Sequence, residues 1–214
     1  MIKVLIADDH ELVRSGLEYI LASDRGIEVV GSASSGEEAL TLAAKLHPDV
    51  VLMDINMPGM GGLEACHKIK QEYPGIRVIA LSVLVDGPLP RHLLDAGIEG
   101  YISKHSQPAE MITAVKAVSR GECYLSNDVA HQLAMTSGVN SPVSPFETLS
   151  QREMEVTMLT LQGKSIQVIS NLLALSPKTV CTYRYRIFEK LGIHNDVELT
   201  RLAAKYGLLN NNES

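Results

Sequence analysis

Short apolar runs alternate along the chain with segments in which apolar residues recur every three or four positions. The runs lie at residues 3–7 (KVLIA), 27–33 (IEVVGSA, the weakest), 50–54 (VVLMD), 78–82 (VIALS) and 100–104 (GYISK). Between the first two, Leu12, Leu17 and Leu21 follow helical spacing. Strands that alternate with helices predict βαβ units, and continuously apolar strands fit a sheet that helices cover on both faces. We therefore predict an α/β domain, a doubly wound five-stranded parallel sheet, at residues 1–120.

A different pattern begins after this domain. Residues 126–136 have helical spacing, and the stretch SGVNSPVSP at 137–145 is rich in the residues of flexible linkers. From residue 146 onward there is no strand pattern, and at least four segments have helical spacing. The prediction is a linker with a short helix at residues 121–146 and a small all-α domain at residues 147–214.

Charge and cysteine content narrow the class of protein. Residues 1–145 hold 11 Lys and Arg against 18 Asp and Glu, whereas residues 146–214 hold 8 against 7. This asymmetry indicates two domains with different partners. The three cysteines, Cys66, Cys123 and Cys181, have no disulfide or zinc spacing. Because no apolar segment approaches the roughly 20 residues needed to span a bilayer, we expect a soluble cytoplasmic protein without membrane contact.

Polar groups follow the predicted strands at their carboxyl ends. Asp8 and Asp9 follow the first strand, Asp54 ends the third, Ser82 the fourth and Lys104 the fifth. In open parallel sheets ligands bind at this edge, so we expect these groups to converge. A single Asp there would be read as a helix cap or turn residue. Together the three acids suit Mg²⁺, which would offset their mutual repulsion and the charge of an incoming phosphoryl group.

These landmarks resemble the receiver domain of two-component response regulators, which has a flavodoxin-like fold. The resemblance covers residues 1–120 and rests on the acidic pair, LMDINMPGMGG around Asp54, ALS ending at Ser82 and YISK ending at Lys104. It implies that Asp54 receives a phosphoryl group from a sensor histidine kinase. It also implies a Mg²⁺ site made of Asp9, Asp54 and the backbone carbonyl of Asn56, with Asp8 acting through water.

The same resemblance assigns a switch. Ser82 and Tyr101 would respond to the phosphoryl group, the hydroxyl binding it and the ring turning inward, while Lys104 would pair with a phosphate oxygen. His105 stands where many receivers carry Pro, so the geometry of that loop departs from the common pattern. We assign no role to His10, because a histidine that opens a helix beside two acids is more often solvated or hydrogen-bonded.

The segment GKSIQVISNLLALSPKTVCTYRYRIFEKLGI at 163–193 predicts two helices joined by a short turn, a helix-turn-helix. Ser176 suits the N-cap and Pro177 the first position of the second helix. One side of that helix is apolar, and the other could enter a major groove, although an ordinary helical hairpin would show the same periodicity. Our candidates for base edges and phosphates are Lys178, Thr179, Cys181, Thr182, Arg184, Tyr185, Arg186 and Lys190.

This part resembles the LuxR-type helix-turn-helix, through LSQREMEV, SPKTV and the KL pair near residue 190. A receiver followed by such a domain is typical of the NarL/FixJ class, and SPFETLSQREMEV with NDVELTRLA is similar to the GacA/UvrY-type global activators. The family often has Glu where Val168 stands and His where Tyr183 stands. The resemblance implies a homodimer formed on phosphorylation and bound to double-stranded promoter DNA. It further implies RNA polymerase as a partner and small regulatory RNA genes as targets.

Two other classes of function stay open at this point. One is a Mg²⁺-dependent phosphoaspartyl phosphatase; such enzymes generally carry a second Asp two residues after the nucleophile, where Asn56 stands here. The other is a regulator whose helical domain binds a protein rather than DNA, which the near-neutral charge of residues 146–214 allows. The favoured interpretation is a transcription regulator that is not an enzyme.

Overall fold

A computed structural model of the protein describes residues 1–83, 87–136 and 144–209. Most of the predicted flexible stretch at 137–145, its residues 137–143, lies outside the described residues. The described residues group into two compact units, one made of 1–83 and 93–131 and the other of 87–92 and 132–209. Within the described ranges no helix is long and apolar enough to cross a membrane.

The first unit is built on a parallel sheet with the strand order β2-β1-β3-β4-β5-β6. All five predicted strands are confirmed, and a sixth strand adds to the predicted sheet at its β5 edge. This strand has two residues, too few to show a period, so the sequence pattern does not reveal it. The strands are β1 (Ile2–Ala7), β2 (Ile27–Ala33), β3 (Val50–Asp54), β4 (Arg77–Ser82), β5 (Gly100–Ser103) and β6 (Tyr124–Leu125).

Helices cover both faces of this sheet, as the continuously apolar strands predict. Helices α1 and α5 pack together over one face, and α2 and α3 pack together over the other. Every residue of β3 and β5 is buried, so the central strands lie within a core of aliphatic side chains. The helices of this part of the chain are α1 (Glu11–Ala22), α2 (Gly36–Leu46), α3 (Gly61–Glu72), α4 (Leu89–Asp95), α5 (Pro108–Ser119) and α6 (Asn127–Thr136).

The second unit contains a 3₁₀ turn and four further helices. The turn spans Pro145–Thr148, and the helices are α7 (Gln151–Leu161), α8 (Ile166–Leu172), α9 (Pro177–Leu191) and α10 (Asp196–Lys205). Helix α9 packs against both α7 and α8. The Ser150 side chain accepts a hydrogen bond from the Glu153 amide while the Glu153 carboxylate accepts one from the Ser150 amide, a capping box that begins α7.

Candidate functional site

The carboxyl ends of the parallel strands bring the predicted acidic residues together. Asp8 follows β1 directly and Asp54 is the last residue of β3, the strand beside it. Ligand atoms of Asp8, Asp9, His10 and Asp54 all lie within 4.8 Å of one another. The side chain of Asp8 is fully buried and only 1% of Asp54 is exposed. Two buried carboxylates this close require a positive charge nearby.

Lys104 supplies that charge from the end of β5. Its Nζ lies 2.6 Å from Asp8 Oδ2 and 2.7 Å from Asp54 Oδ2. The remaining carboxylate oxygens accept backbone hydrogen bonds, Asp8 Oδ1 from the amide of His10 and Asp54 Oδ1 from the amide of Asn56. The two carboxylates are therefore held in fixed positions with the ammonium group between them.

Burial and pairing shift the pKa values of this pair. Burial raises the pKa of Asp54, and the hydrogen bonds from Lys104 and Asn56 offset that rise only in part. Burial would lower the pKa of Lys104, but its bonds to Asp54 and Asp8 outweigh burial and raise it. Lys104 therefore stays charged at neutral pH, available to pair with an anion that reaches Asp54.

The donor set fits a magnesium ion. Asp9 Oδ1 is buried, and no atom of the described residues donates a hydrogen bond to it. A buried oxygen that accepts no hydrogen bond costs free energy, and a cation beside it would remove that cost. Carboxylate and carbonyl oxygens are also the ligands that Mg²⁺ prefers. The cluster of Asp8, Asp9 and Asp54 could therefore hold the ion.

Two further residues shape this pocket, and sequence reasoning missed both. Arg14, in α1, donates a hydrogen bond from Nη1 to the backbone oxygen of Asp8 over 2.7 Å. Gly62, at the start of α3, packs so closely that a Cβ there would lie 1.8 Å from the backbone oxygen of Asp54. The glycines of PGMGG were a visible signal for the second. No sequence signal indicated the role of Arg14, because its contact with Asp8 depends on the way α1 leaves the sheet.

Ser82 and Tyr101 lie on the neighbouring strands β4 and β5. Both are fully buried, and a hydrogen bond joins their side chains. Burial raises the pKa of the Tyr101 hydroxyl well above its ordinary range, so this group stays protonated. The ring thus occupies an inward position behind the serine that is expected to face a phosphoryl group.

The loop after Lys104 is ordered by hydrogen bonds although His105 replaces the common proline. The Lys104 amide donates to the backbone oxygen of Ser82, and the His105 amide donates to Ser103 Oγ. Within the described part of the chain every peptide bond is trans, including this one. The lysine therefore reaches the acidic pair without a cis peptide.

The predicted helix-turn-helix forms from α8 and α9. Ser176 Oγ accepts a hydrogen bond from the Thr179 amide, and Pro177 takes the first helical position, so the predicted cap is confirmed. Val180, Ile187 and Leu191 form the buried stripe of α9.

The opposite side of α9 is open to solvent. Lys178, Cys181, Thr182 and Arg186 are exposed, and 70% of Tyr185 is exposed. Thr179 is half-buried, and its hydroxyl is hydrogen-bonded to that of Ser176. The exposed group forms a mixed polar surface along the helix, which we call the α9 polar face: Lys178, Cys181, Thr182, Tyr185 and Arg186.

Two predicted phosphate contacts already have carboxylate partners. Both oxygens of Asp196 accept hydrogen bonds from Arg184 Nη2, at 2.6 and 2.8 Å, and the guanidinium lies over the ring of Phe188. Lys190 Nζ lies 2.6 Å from Glu153 Oε2, on the capping box of α7. These cations join α9 to α10 and α7, whereas Arg186 has no ion pair among the described residues.

Comparisons with known proteins decide the family. A model of the "Response regulator receiver domain" matches residues 4–116, and a model of "Bacterial regulatory proteins, luxR family" matches residues 147–203. The first covers more than half of the chain. The chain belongs to the response regulators, with a LuxR-type DNA-binding domain. Response regulators that combine a receiver with a LuxR-type DNA-binding domain are transcription factors, not enzymes.

This response regulator is similar to named relatives over nearly its whole length. It is 50% identical over 212 residues to "Response regulator GacA" of Pseudomonas syringae pv. syringae, with 98% of each chain covered. It is 46% identical over 211 residues to "Response regulator UvrY" of Escherichia coli K12, covering 98% of this chain and 97% of that one. The resemblance inferred from the sequence is confirmed.

Solved structures give the same architecture. The RcsB response regulator of Salmonella typhimurium matches with a TM-score of 0.79 at 27% identity, over 96% of this chain and 98% of RcsB. A second structure shows RcsB "bound to promoter rprA in the presence of phosphomimetic BeF3-". It matches with a TM-score of 0.78 at 26% identity, over 95% of this chain and 98% of that one.

Proposed function

We propose that this response regulator is a phosphorylation-gated transcription factor in which Asp54 is the phosphorylated residue. Residues 1–120 act as the receiver, 121–146 as the linker and 147–214 as the DNA-binding domain. The observation that carries the proposal is the burial of Asp54 at the sheet edge, where Lys104 bridges the carboxylates of Asp54 and Asp8. That arrangement offers a carboxylate nucleophile and a fixed cation for the incoming group.

The phosphoryl step follows from this geometry. A carboxylate oxygen of Asp54 attacks phosphorus of the kinase phosphohistidine, and an O–P bond forms as the P–N bond breaks. Lys104 pairs with one phosphoryl oxygen, and the Ser82 hydroxyl donates to another. Mg²⁺ held by Asp9, Asp54 and the Asn56 carbonyl, with Asp8 through water, would neutralise negative charge on the transferring group.

Labelling with acetyl phosphate tests the acceptor. With Mg²⁺ present, intact-protein mass spectrometry should show the mass of one added phosphoryl group on the wild type and none on Asp54→Asn. Asp128→Asn, a change in a solvent-exposed acid of α6, is the control and should be labelled like the wild type. Equal labelling of wild type and Asp54→Asn would refute the assignment of Asp54.

The partners follow from the second domain and from the relatives. We infer that the α9 polar face reads a promoter, with Cys181, Thr182 and Tyr185 towards base edges and Lys178 and Arg186 nearer phosphates. The half-buried Thr179 beside this face is a further candidate for a phosphate contact. RcsB has been solved on promoter DNA with a phosphomimetic, which supports DNA as the target of this chain too. Arg184 and Lys190 are already paired with Asp196 and Glu153. Each can contact a phosphate only if its cationic group is shared between that carboxylate and the DNA.

The salt dependence of binding tests whether the α9 polar face binds DNA or a protein. Arg186→Ala should weaken binding to all promoter sequences alike and reduce the slope of log K against log salt by about one. A gel shift or fluorescence anisotropy series over ionic strength measures this slope. Glu189→Gln is the control, because it changes another exposed residue of the same helix without removing a cation. DNA binding that Arg186→Ala leaves unchanged in slope would contradict the assignment of this residue.

The remaining partners belong to the same proposal. A sensor histidine kinase supplies the phosphoryl group, phosphorylation drives formation of a homodimer, and the dimer acts with RNA polymerase at the promoter. The resemblance to GacA/UvrY-type global activators is the ground on which we propose small regulatory RNA genes as targets. The phosphatase alternative has no support, since Asn56 occupies the place of its second acid and the family consists of regulators.

A further inference from the structure

His10 lies at the edge of the cation site and is not explained by the phosphoryl-transfer scheme. It sits between the acidic pair and α1, and its amide donates to Asp8 Oδ1 over 2.9 Å. Its ring Nδ1 lies 3.0 Å from Asp9 Oδ1 and 3.4 Å from Asp8 Oδ1. The imidazole nitrogen is therefore grouped with the same oxygens that are proposed to hold magnesium.

The short contact between His10 Nδ1 and Asp9 Oδ1 has the distance of an ion pair but does not have the geometry of a hydrogen bond. Asp9 Oδ1 is buried and receives no hydrogen bond from any described residue, although Nδ1 is only 3.0 Å away. Neighbouring ligands on an octahedral ion with bonds of about 2.1 Å lie about 3.0 Å apart. The spacing of nitrogen and oxygen therefore also suits two ligand atoms that share one ion. The alternative is a solvated ring attracted to the carboxylates, since 67% of the His10 side chain is exposed.

We propose that His10 is a nitrogen ligand of this site, so that the receiver binds an imidazole-preferring first-row dication such as Co²⁺ more tightly than oxygen ligands alone would allow. Magnesium strongly prefers oxygen ligands and keeps several waters, so it gains little from the ring. Imidazole suits the later first-row ions, whose affinity for nitrogen sites exceeds that of the early ones. His10 therefore sets which metal loads the receiver. This inference rests on the proposed cation site.

Calorimetric titration of the untagged full-length protein with Co²⁺ and with Mg²⁺ tests it. The variants are His10→Gln, Asp9→Asn and, as a control for other histidines, His131→Gln, which changes an exposed ring on α6. His10→Gln should lower the ratio of Co²⁺ affinity to Mg²⁺ affinity at least about tenfold, and His131→Gln should not change it. Mg²⁺ should compete with Co²⁺ in the wild type, and the visible Co²⁺ spectrum should change in His10→Gln.

The outcomes separate this inference from the proposed cation site. If Asp9→Asn abolishes binding of both ions and His10→Gln leaves the affinity ratio and the spectrum unchanged, the cation site stands and the role of His10 is refuted. An equal loss of both affinities in His10→Gln would also refute it, because the histidine would then only support the acidic turn. If the wild type binds neither ion, the cation site itself fails.

Discussion

Single residues decide the chemistry at the sheet edge. Asp54 is costly to bury, as its raised pKa shows, and Lys104 compensates only part of that cost. A carboxylate held in this state suits the proposed reaction, in which a metal ion and a phosphoryl group enter the pocket. The burial of Asp54 therefore agrees with the proposed function of the site.

Gly62 gives a sharp test of this pocket at the residue scale. Gly62→Ala would place a Cβ 1.8 Å from the backbone oxygen of Asp54, so the end of β3 or the start of α3 must move. We expect a loss of about 3 kcal/mol in the free energy of unfolding, measured by urea titration, together with loss of phosphoryl labelling.

Gly16→Ala is the matched control for Gly62→Ala. Nothing lies within 4 Å of a Cβ at Gly16, which is on the exposed side of α1. Alanine is favoured over glycine inside a helix, so this change should raise stability by up to about 1 kcal/mol. Gly62→Ala with wild-type stability and labelling would show that the close packing around Asp54 is not required.

At the scale of elements, local patterns predict much of this structure because they reflect local physics. The five longer strands and the α9 cap at Ser176 follow from apolar runs and from capping residues. Strand β6 could not be predicted in this way, because two residues are too few to show an alternation of apolar and polar positions. Its pairing with β5 also depends on the folded domain. The ion pair between Lys190 and Glu153 was also missed, because its members lie 37 positions apart and meet only after α7 and α9 pack.

Glu153 links two of these elements and gives a prediction with a definite pH dependence. Burial would raise its pKa, but bonds from Lys190 and Ser150 outweigh burial and lower it from 4.5. The ionised form is thus favoured in the folded state, and its contribution is present above pH 4.5 and lost as the pH falls through the lowered pKa. Glu153→Gln should cost about 2 kcal/mol in the free energy of unfolding at pH 7, and the difference from wild type should decrease as the pH falls below 4.5.

Urea unfolding of the full chain at pH 7 and at pH 3, followed by circular dichroism, measures this difference. Glu189→Gln is the control, since it removes an exposed acid from α9 and should change stability by less than about 0.5 kcal/mol at either pH. An effect of Glu153→Gln that stays the same at both pH values would mean that the ion pair with Lys190 is not its cause.

At the scale of the whole molecule, two units with different chemistry share one chain. The first concentrates acid at a sheet edge, and the second presents a mixed polar helix face with a near-neutral overall charge. The proposed phosphoacceptor residue lies in the first unit and the α9 polar face lies in the second. What makes the chain a regulator is the proposed coupling, in which the state of Asp54 changes how the α9 polar face meets DNA.

The most direct test is promoter affinity and oligomeric state, measured with and without beryllofluoride and Mg²⁺, for wild type and Asp54→Asn. The relevant readouts are anisotropy on promoter DNA and sedimentation in its absence. We expect tighter DNA binding and a shift towards dimer in the wild type only, because beryllofluoride mimics the phosphoryl group on Asp54. Equal DNA affinity in all four samples would contradict the gating at the centre of the account.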